Sequence, residues 1–215
     1  MLKGPEIIPD GDVTAAVVFL HGYGADGNDL IGLARPLQKH FPQMAFFSPN
    51  APQKTAMGIG RQWFSDAGGT FVDRPGIDAA TQNIEQYLEE RLYTPHGLTP
   101  KQVVLVGFSM GTMTALYAAP RLAGGVAGVV GFSGMMLFAE GLKNLERKNT
   151  MPIALIHGTD DTVVPYMASQ QAEANLKAEG FDVTLDLISG LGHGIDEQGL
   201  EILRDFLENN LSPLE

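Results

Sequence analysis

Gly107-Phe108-Ser109-Met110-Gly111 sets a serine between two glycines, directly after the β-rich apolar run Val103–Val106 and ahead of a run of small residues. This is the order a sharp strand-to-helix turn needs if it is to push a serine hydroxyl outward as a nucleophile. Glycine on both sides removes the Cβ atoms that would collide where the backbone doubles back. A second serine, Ser133 in Gly131-Phe132-Ser133-Gly134, also ends a β-rich run. It lacks a glycine two positions on, and no helical pattern opens after it, so it reads as a strand-end residue.

A serine nucleophile needs a base, and the chain has five histidines. His40 and His96 lie beside helix ends among polar residues. His21 and His157 each end an apolar run and read as hydrogen-bonded structural histidines. His193, in Gly190-Leu191-Gly192-His193-Gly194, occupies a glycine-rich turn after the last strand pattern, where an imidazole can reach over a sheet edge. It is the expected base. The carboxylate that orients such a base is expected in His157-Gly158-Thr159-Asp160-Asp161: Asp161 is the choice and Asp160 the alternative. The chain order serine, aspartate, histidine is that of α/β-hydrolases. A metal site from His157, Asp160 and His193 has no supporting spacing, and neither metal nor cofactor is expected. Acyl transfer also requires preorganised N–H donors for the oxyanion. One is the backbone N–H of Met110, next after the serine; the other is that of Tyr23 in the glycine-rich turn His21-Gly22-Tyr23-Gly24. Asp26 and Asn28 read as helix caps.

The elements that must hold these groups alternate along the chain. Strand patterns fall at Ala15–Leu20, Met44–Phe47, Val103–Val106, Val126–Phe132, Ile153–Ile156 and Val183–Ile188. Helix patterns fall at Asn28–His40, Ile77–Leu92, Met110–Ala119, Tyr166–Glu179 and Glu197–Asn209. Nearly continuous apolar strands are those of a parallel sheet buried on both faces. The alternation implies a single α/β domain over residues 1–215, with a mostly parallel central sheet, helices on both faces and no separate cap domain. The stretch from Pro49 to Pro75 breaks the alternation. It is rich in glycine and proline yet holds Met57, Ile59 and Trp63, and is expected to be a structured loop acting as a lip over an apolar groove.

Composition narrows the function classes. With 25 acidic against 14 basic residues and a formal charge of -11, polyanions are repelled, and nucleic acid is not an expected partner. The absence of cysteine removes disulfides, thiolate metal sites and a thiol nucleophile. The uncharged runs Val103–Pro120 and Leu122–Ala139 approach the length of a membrane span, but glycines punctuate the second. Both read as the buried centre of the fold. Residues 1–10 lack the apolar core of a signal peptide, so a cytoplasmic location is expected.

Taken in order, His21-Gly22-Tyr23-Gly24-Ala25-Asp26-Gly27, Pro49-Asn50-Ala51-Pro52, Trp63-Phe64, the Gly107–Gly111 turn, the Asp161–Pro165 segment and Gly192-His193 resemble the phospholipase/carboxylesterase family of α/β-hydrolases, which includes the acyl-protein thioesterases. The resemblance covers nearly the whole chain. It implies a serine hydrolase for carboxylic esters or thioesters, with Ser109, Asp161 and His193 as nucleophile, acid and base, and Tyr23 and Met110 as oxyanion donors. The expected substrate-binding residues are Met57, Ile59, Trp63, Val163 and Leu191. The expected partner is a small-molecule acyl ester or lipid substrate, without stable membrane insertion, and a homodimer is left open. Met110 stands where the family usually has glutamine, and Tyr23 where it often has leucine; both changes bear on the acyl site and not on the chemistry. The expected reaction is hydrolysis of short- to medium-chain acyl esters. The alternatives are a lysophospholipase or acyl-protein thioesterase acting on long chains, a serine peptidase, and a non-catalytic hydrolase-fold receptor.

Overall fold

The computed structural model describes residues 1–65, 74–145 and 150–211. In chain order the elements are β1 (Glu6–Ile7), β2 (Ala15–Leu20), α1 (Gly27–Ile31), α2 (Ala34–His40), β3 (Met44–Phe47), β4 (Gln53–Lys54), β5 (Arg61–Gln62) and α3 (Arg74–Leu88). They continue through α4 (Thr94–His96), β6 (Val103–Phe108), α5 (Met110–Ala118), β7 (Gly128–Phe132), β8 (Ile153–Gly158), α6 (Met167–Ala178), β9 (Val183–Ile188) and α7 (Glu197–Asn210). Seven strands form one sheet in the order β1-β3-β2-β6-β7-β8-β9. Only β1 runs antiparallel to its neighbour; every other pairing is parallel.

The sheet is apolar on both sides because each strand feeds two cores by its period-2 alternation. In β2, Ala16, Val18 and Leu20 join Ile77, Ile84, Leu88, Leu116 and Leu176 from α3, α5 and α6. Ala15, Val17 and Phe19 join Leu30, Leu37, Leu203 and Leu207 from α1, α2 and α7 on the other face. Among the described residues no helix is long and apolar enough to cross a membrane, and the uncharged runs lie inside this layered core.

Strand order sets where a site can form. From β2 the chain goes to β3 on one side, then returns to β6 on the other. The sheet therefore switches direction between β2 and β6, and a crevice opens beyond the carboxyl ends of strands at such a switch. His21 follows β2 and Ser109 follows β6, and Leu20 pairs with Gly107 across the two strands.

Several boundaries differ from the sequence expectation, those of β6, β7 and β8 by two residues at one end. The helix expected over Asn28–His40 is two helices, because Pro36 lacks an N–H and fits only the first turn of α2. The helix expected over Ile77–Leu92 starts at Arg74 and passes into a π-helical turn, Glu89–Tyr93. The Pro49–Pro75 stretch contains an antiparallel pair, β4 with β5, and its last two residues belong to α3; residues 66–73 lie outside the described residues.

Candidate active site

Ser109 is the hinge between β6 and α5, with φ 54 and ψ -117. Positive φ at a non-glycine residue costs on the order of 1–3 kcal/mol and persists only where surrounding structure enforces it. The enforcement is visible: Ser109 N–H donates to Phe132 O at 2.9 Å, and the flanking glycines sit against backbone. A Cβ at Gly107 would lie 2.4 Å from Thr112 N, and one at Gly111 only 1.8 Å from Leu20 O. Ser133 is also at positive φ, 48, so strain alone does not single out a nucleophile. The two differ in accessibility: Ser133 is 1% exposed, while Ser109 is half-buried.

The carboxylate and the histidine meet because β8 and β9 are adjacent and their following loops are stitched together. Thr159 N–H donates to Ile188 O at 2.9 Å, Asp160 N–H to Leu191 O at 2.9 Å, and Gly190 N–H to Thr159 Oγ1 at 3.0 Å. Asp161 is buried, and its Oδ1 accepts the N–H groups of Val163 and Val164, both at 2.8 Å. Its Oδ2 is 2.7 Å from His193 Nδ1. Burial raises the Asp161 pKa, but the hydrogen bonds from His193, Val164 and Val163 outweigh it and hold the carboxyl below its ordinary value. Asp160 is exposed and accepts instead from the Thr159 hydroxyl at 2.9 Å. Of the two aspartates, only Asp161 touches His193. The His193 ring leans on Phe108, the residue before Ser109, with centroids 4.9 Å apart. Among the described residues the Ser109 hydroxyl itself makes no hydrogen bond.

A second histidine reaches the same carboxylate oxygen. His157 is fully buried, with Nε2 3.1 Å from Asp161 Oδ2 and 2.8 Å from Val164 O. A carbonyl only accepts, so Nε2 carries a proton. Nδ1 lies 2.7 Å from Ser169 Oγ, which is 3.0 Å from Gly134 O. Sequence reading made His157 a structural histidine and missed that it touches Asp161; the signal available was its spacing, four residues ahead of an aspartate in a loop that must turn back.

The glycine-rich turn after β2 lies against the Gly107–Gly111 turn, the elbow between β6 and α5: a Cβ at Gly22 would be 3.5 Å from Ser109 Cβ and 3.2 Å from Phe108 Cδ1. Ala25 N–H reaches Gly22 O at 3.4 Å, closing a turn whose Gly24 has φ 78. The β4–β5 hairpin buttresses this turn, with Gly24 N–H donating to Arg61 O at 2.9 Å and Arg61 N–H to Ala25 O at 2.8 Å. The hairpin's connecting residues Met57 and Ile59 are 77% and 74% exposed, and Val163 is 66% exposed. Leu191 is half-buried. Trp63 corrects the expectation of an apolar lip residue: it is fully buried, because its indole N–H donates to His21 O at 2.9 Å and its ring packs in the core. Asp26 caps α1 through Asn28 N–H at 2.8 Å, as the sequence suggested; Asn28 is not itself a cap but lends Asp26 a side-chain amide at 3.0 Å.

A half-buried serine at a strained strand-to-helix turn, a carboxylate-bound histidine and a glycine turn packed against the serine make an arrangement suited to acyl transfer. Comparison with known proteins agrees. Residues 3–211 match the family described as Phospholipase/Carboxylesterase. Acyl-protein thioesterase 1 of Gibberella zeae is 26% identical, over 93% of this chain and 92% of that protein. Esterase YpfH of Escherichia coli is 28% identical, over 93% and 84% respectively. The crystal structure of esterase PE8 superposes with a TM-score of 0.89 at 36% identity, covering 98% of this chain and 99% of that one. The α/β-hydrolase fold expected from the sequence is the fold observed, and the chain belongs to the phospholipase/carboxylesterase family and is a serine hydrolase.

Proposed function

We propose that the chain hydrolyses carboxylic esters of short to medium acyl chains, with Ser109 as nucleophile, His193 as base and Asp161 as the group that orients His193. The 2.7 Å contact between Asp161 Oδ2 and His193 Nδ1 carries the reading. It favours a proton on Nδ1, toward the carboxylate, and a lone pair on Nε2, as a general base needs. Ser109 Oγ gives its proton to His193 Nε2 and attacks the acyl carbon. The N–H groups of Tyr23 and Met110 hold the oxyanion. The imidazolium returns the proton to the leaving alcohol, and water activated by His193 releases the acid.

Exposed Met57 and Ile59 beside the oxyanion turn, and Val163 two residues past Asp161, favour a second reading in which long acyl chains lie across this apolar rim. The chain is then a lysophospholipase or a thioesterase of the kind named among its relatives. Hydrolysis of p-nitrophenyl esters from two to sixteen carbons, with Ser109→Ala alongside, separates the two. A Ser109-dependent maximum at short or medium chains supports the first reading, and a maximum at the longest chains the second. Turnover unchanged in Ser109→Ala overturns both.

A further inference from the structure

His21 is fully buried beside the glycine-rich turn, and the reaction sequence above gives it no role. Its contacts fix its protonation without ambiguity. Ala51 N–H lies 3.0 Å from Nε2, and an amide N–H can only donate, so Nε2 bears a lone pair. The ring proton is therefore on Nδ1, which donates to Gly22 O at 2.8 Å. The His21 carbonyl is held in turn by the Trp63 indole N–H at 2.9 Å, and the two rings pack with centroids 5.5 Å apart.

Gly22 O belongs to the same peptide unit as the Tyr23 N–H. That unit is planar and trans, so its C=O and N–H point in opposite directions and cannot turn independently. Gripping the carbonyl fixes the direction of the amide. The unit starts at Gly22, packed against Ser109, and among the described residues the Tyr23 N–H donates to nothing. We propose that His21 is a positioning residue: by holding the Gly22 carbonyl it aims the Tyr23 N–H at the developing oxyanion. This rests on the reading of Tyr23 N–H as an oxyanion donor. It also gives the Pro49–Pro52 segment a task. Ala51 N–H locks the tautomer that makes His21 a donor to Gly22, and the segment is itself tied down by Asn50 N–H to Lys3 O at 2.8 Å and by Gly27 N–H to Asn50 Oδ1 at 2.8 Å.

Two substitutions separate the grip on Gly22 from plain support of the loop. In His21→Asn the amide nitrogen falls near the place of Nδ1 and keeps a donor for Gly22 O, but nothing accepts from Ala51. In His21→Gln the side-chain oxygen falls near the place of Nε2 and accepts from Ala51, but Gly22 O loses its side-chain donor and keeps only the longer bond from Ala25 N–H at 3.4 Å. With p-nitrophenyl butyrate, His21→Gln lowers kcat roughly 10- to 100-fold, short of the loss from deleting a donor outright, with KM within about twofold. Affinity for a trifluoromethyl ketone, whose adduct with Ser109 carries the oxyanion, falls by a similar factor. His21→Asn recovers most of the lost kcat. Equal losses in both variants, losses confined to KM, or wild-type kcat in His21→Gln overturn the proposal. A test free of any folding effect is the tautomer in the wild-type enzyme by nitrogen NMR: protonated Nδ1 with bare Nε2 is expected, and the reverse overturns it. Ser109→Ala serves as the outer control. If it stays active the serine-hydrolase mechanism itself fails, whereas if it is inactive and His21→Gln is normal, only the role of His21 fails.

Discussion

Replacing Asp161 by asparagine exchanges one oxygen for an NH2 group, and the structure dictates where that group must go. Oδ1 accepts two backbone N–H groups at 2.8 Å, so an NH2 there would face two donors. The amide nitrogen is forced into the place of Oδ2, 2.7 Å from His193 Nδ1 and 3.1 Å from His157 Nε2. Facing a donor, His193 must give up the Nδ1 proton and take the Nε2–H tautomer, which has no lone pair to receive the Ser109 proton. The imidazolium that forms during attack also loses its counter-charge. The same tautomer error in another serine triad lowers kcat about 10⁴-fold, equivalent to about 5.5 kcal/mol of transition-state stabilisation. The assay is kcat on p-nitrophenyl butyrate for Asp161→Asn and Asp160→Asn, with circular dichroism to show that both are folded. Asp160 is exposed and its carboxylate hydrogen-bonds only Thr159 among the described residues, so its variant, with the same change of charge, stays within about twofold of wild type. Asp161→Asn retaining activity within tenfold, or Asp160→Asn falling as far, would refute the argument.

Two further outcomes follow from packing and titration. In Gly111→Ala the new methyl group meets the Leu20 carbonyl at 1.8 Å, a backbone atom of a central strand; the loss is about 3 kcal/mol or more, a fall in Tm of roughly 6–12 °C by calorimetry, and a change under 2 °C would show that the elbow tolerates a side chain. Burial holds the His21 pKa below its ordinary value despite the Gly22 hydrogen bond and the charges of Asp26 and Asp29. Below about pH 6.5 the unfolded chain therefore binds a proton that the folded one refuses, and stability falls with falling pH by up to about 1.4 kcal/mol per unit. Asp161, lowered from 3.8, adds stability that is lost only at still lower pH. Urea unfolding at pH 7.5 and 5.5 should show the wild-type enzyme losing more stability than His21→Asn, and equal losses would exclude His21 as the source.

The elements legible in the sequence were those whose signal is local. β2, β3 and β9 end where their apolar runs end, and the elbow announces itself because only glycine tolerates contacts as close as those at residues 107 and 111. What stayed hidden depends on distant partners. Trp63 is buried because a carbonyl 42 residues earlier accepts its N–H, and nothing in Arg61-Gln62-Trp63-Phe64 reveals that acceptor. The two-residue edge strand β1, between Pro5 and Pro9, is too short to show alternation and exists only by pairing with β3. His21 and His157 could be read as strand-end histidines, but their reach to Gly22 O and Asp161 Oδ2 depends on how the following loops turn back.

The central claim is that Ser109 is the nucleophile. Intact-mass and peptide mass spectrometry after treatment with a fluorophosphonate tests it most directly. One adduct per chain on Ser109, formed in step with loss of esterase activity and absent in Ser109→Ala, is the predicted result. An adduct on Ser133 or another residue, or full inactivation with Ser109 unmodified, would contradict it.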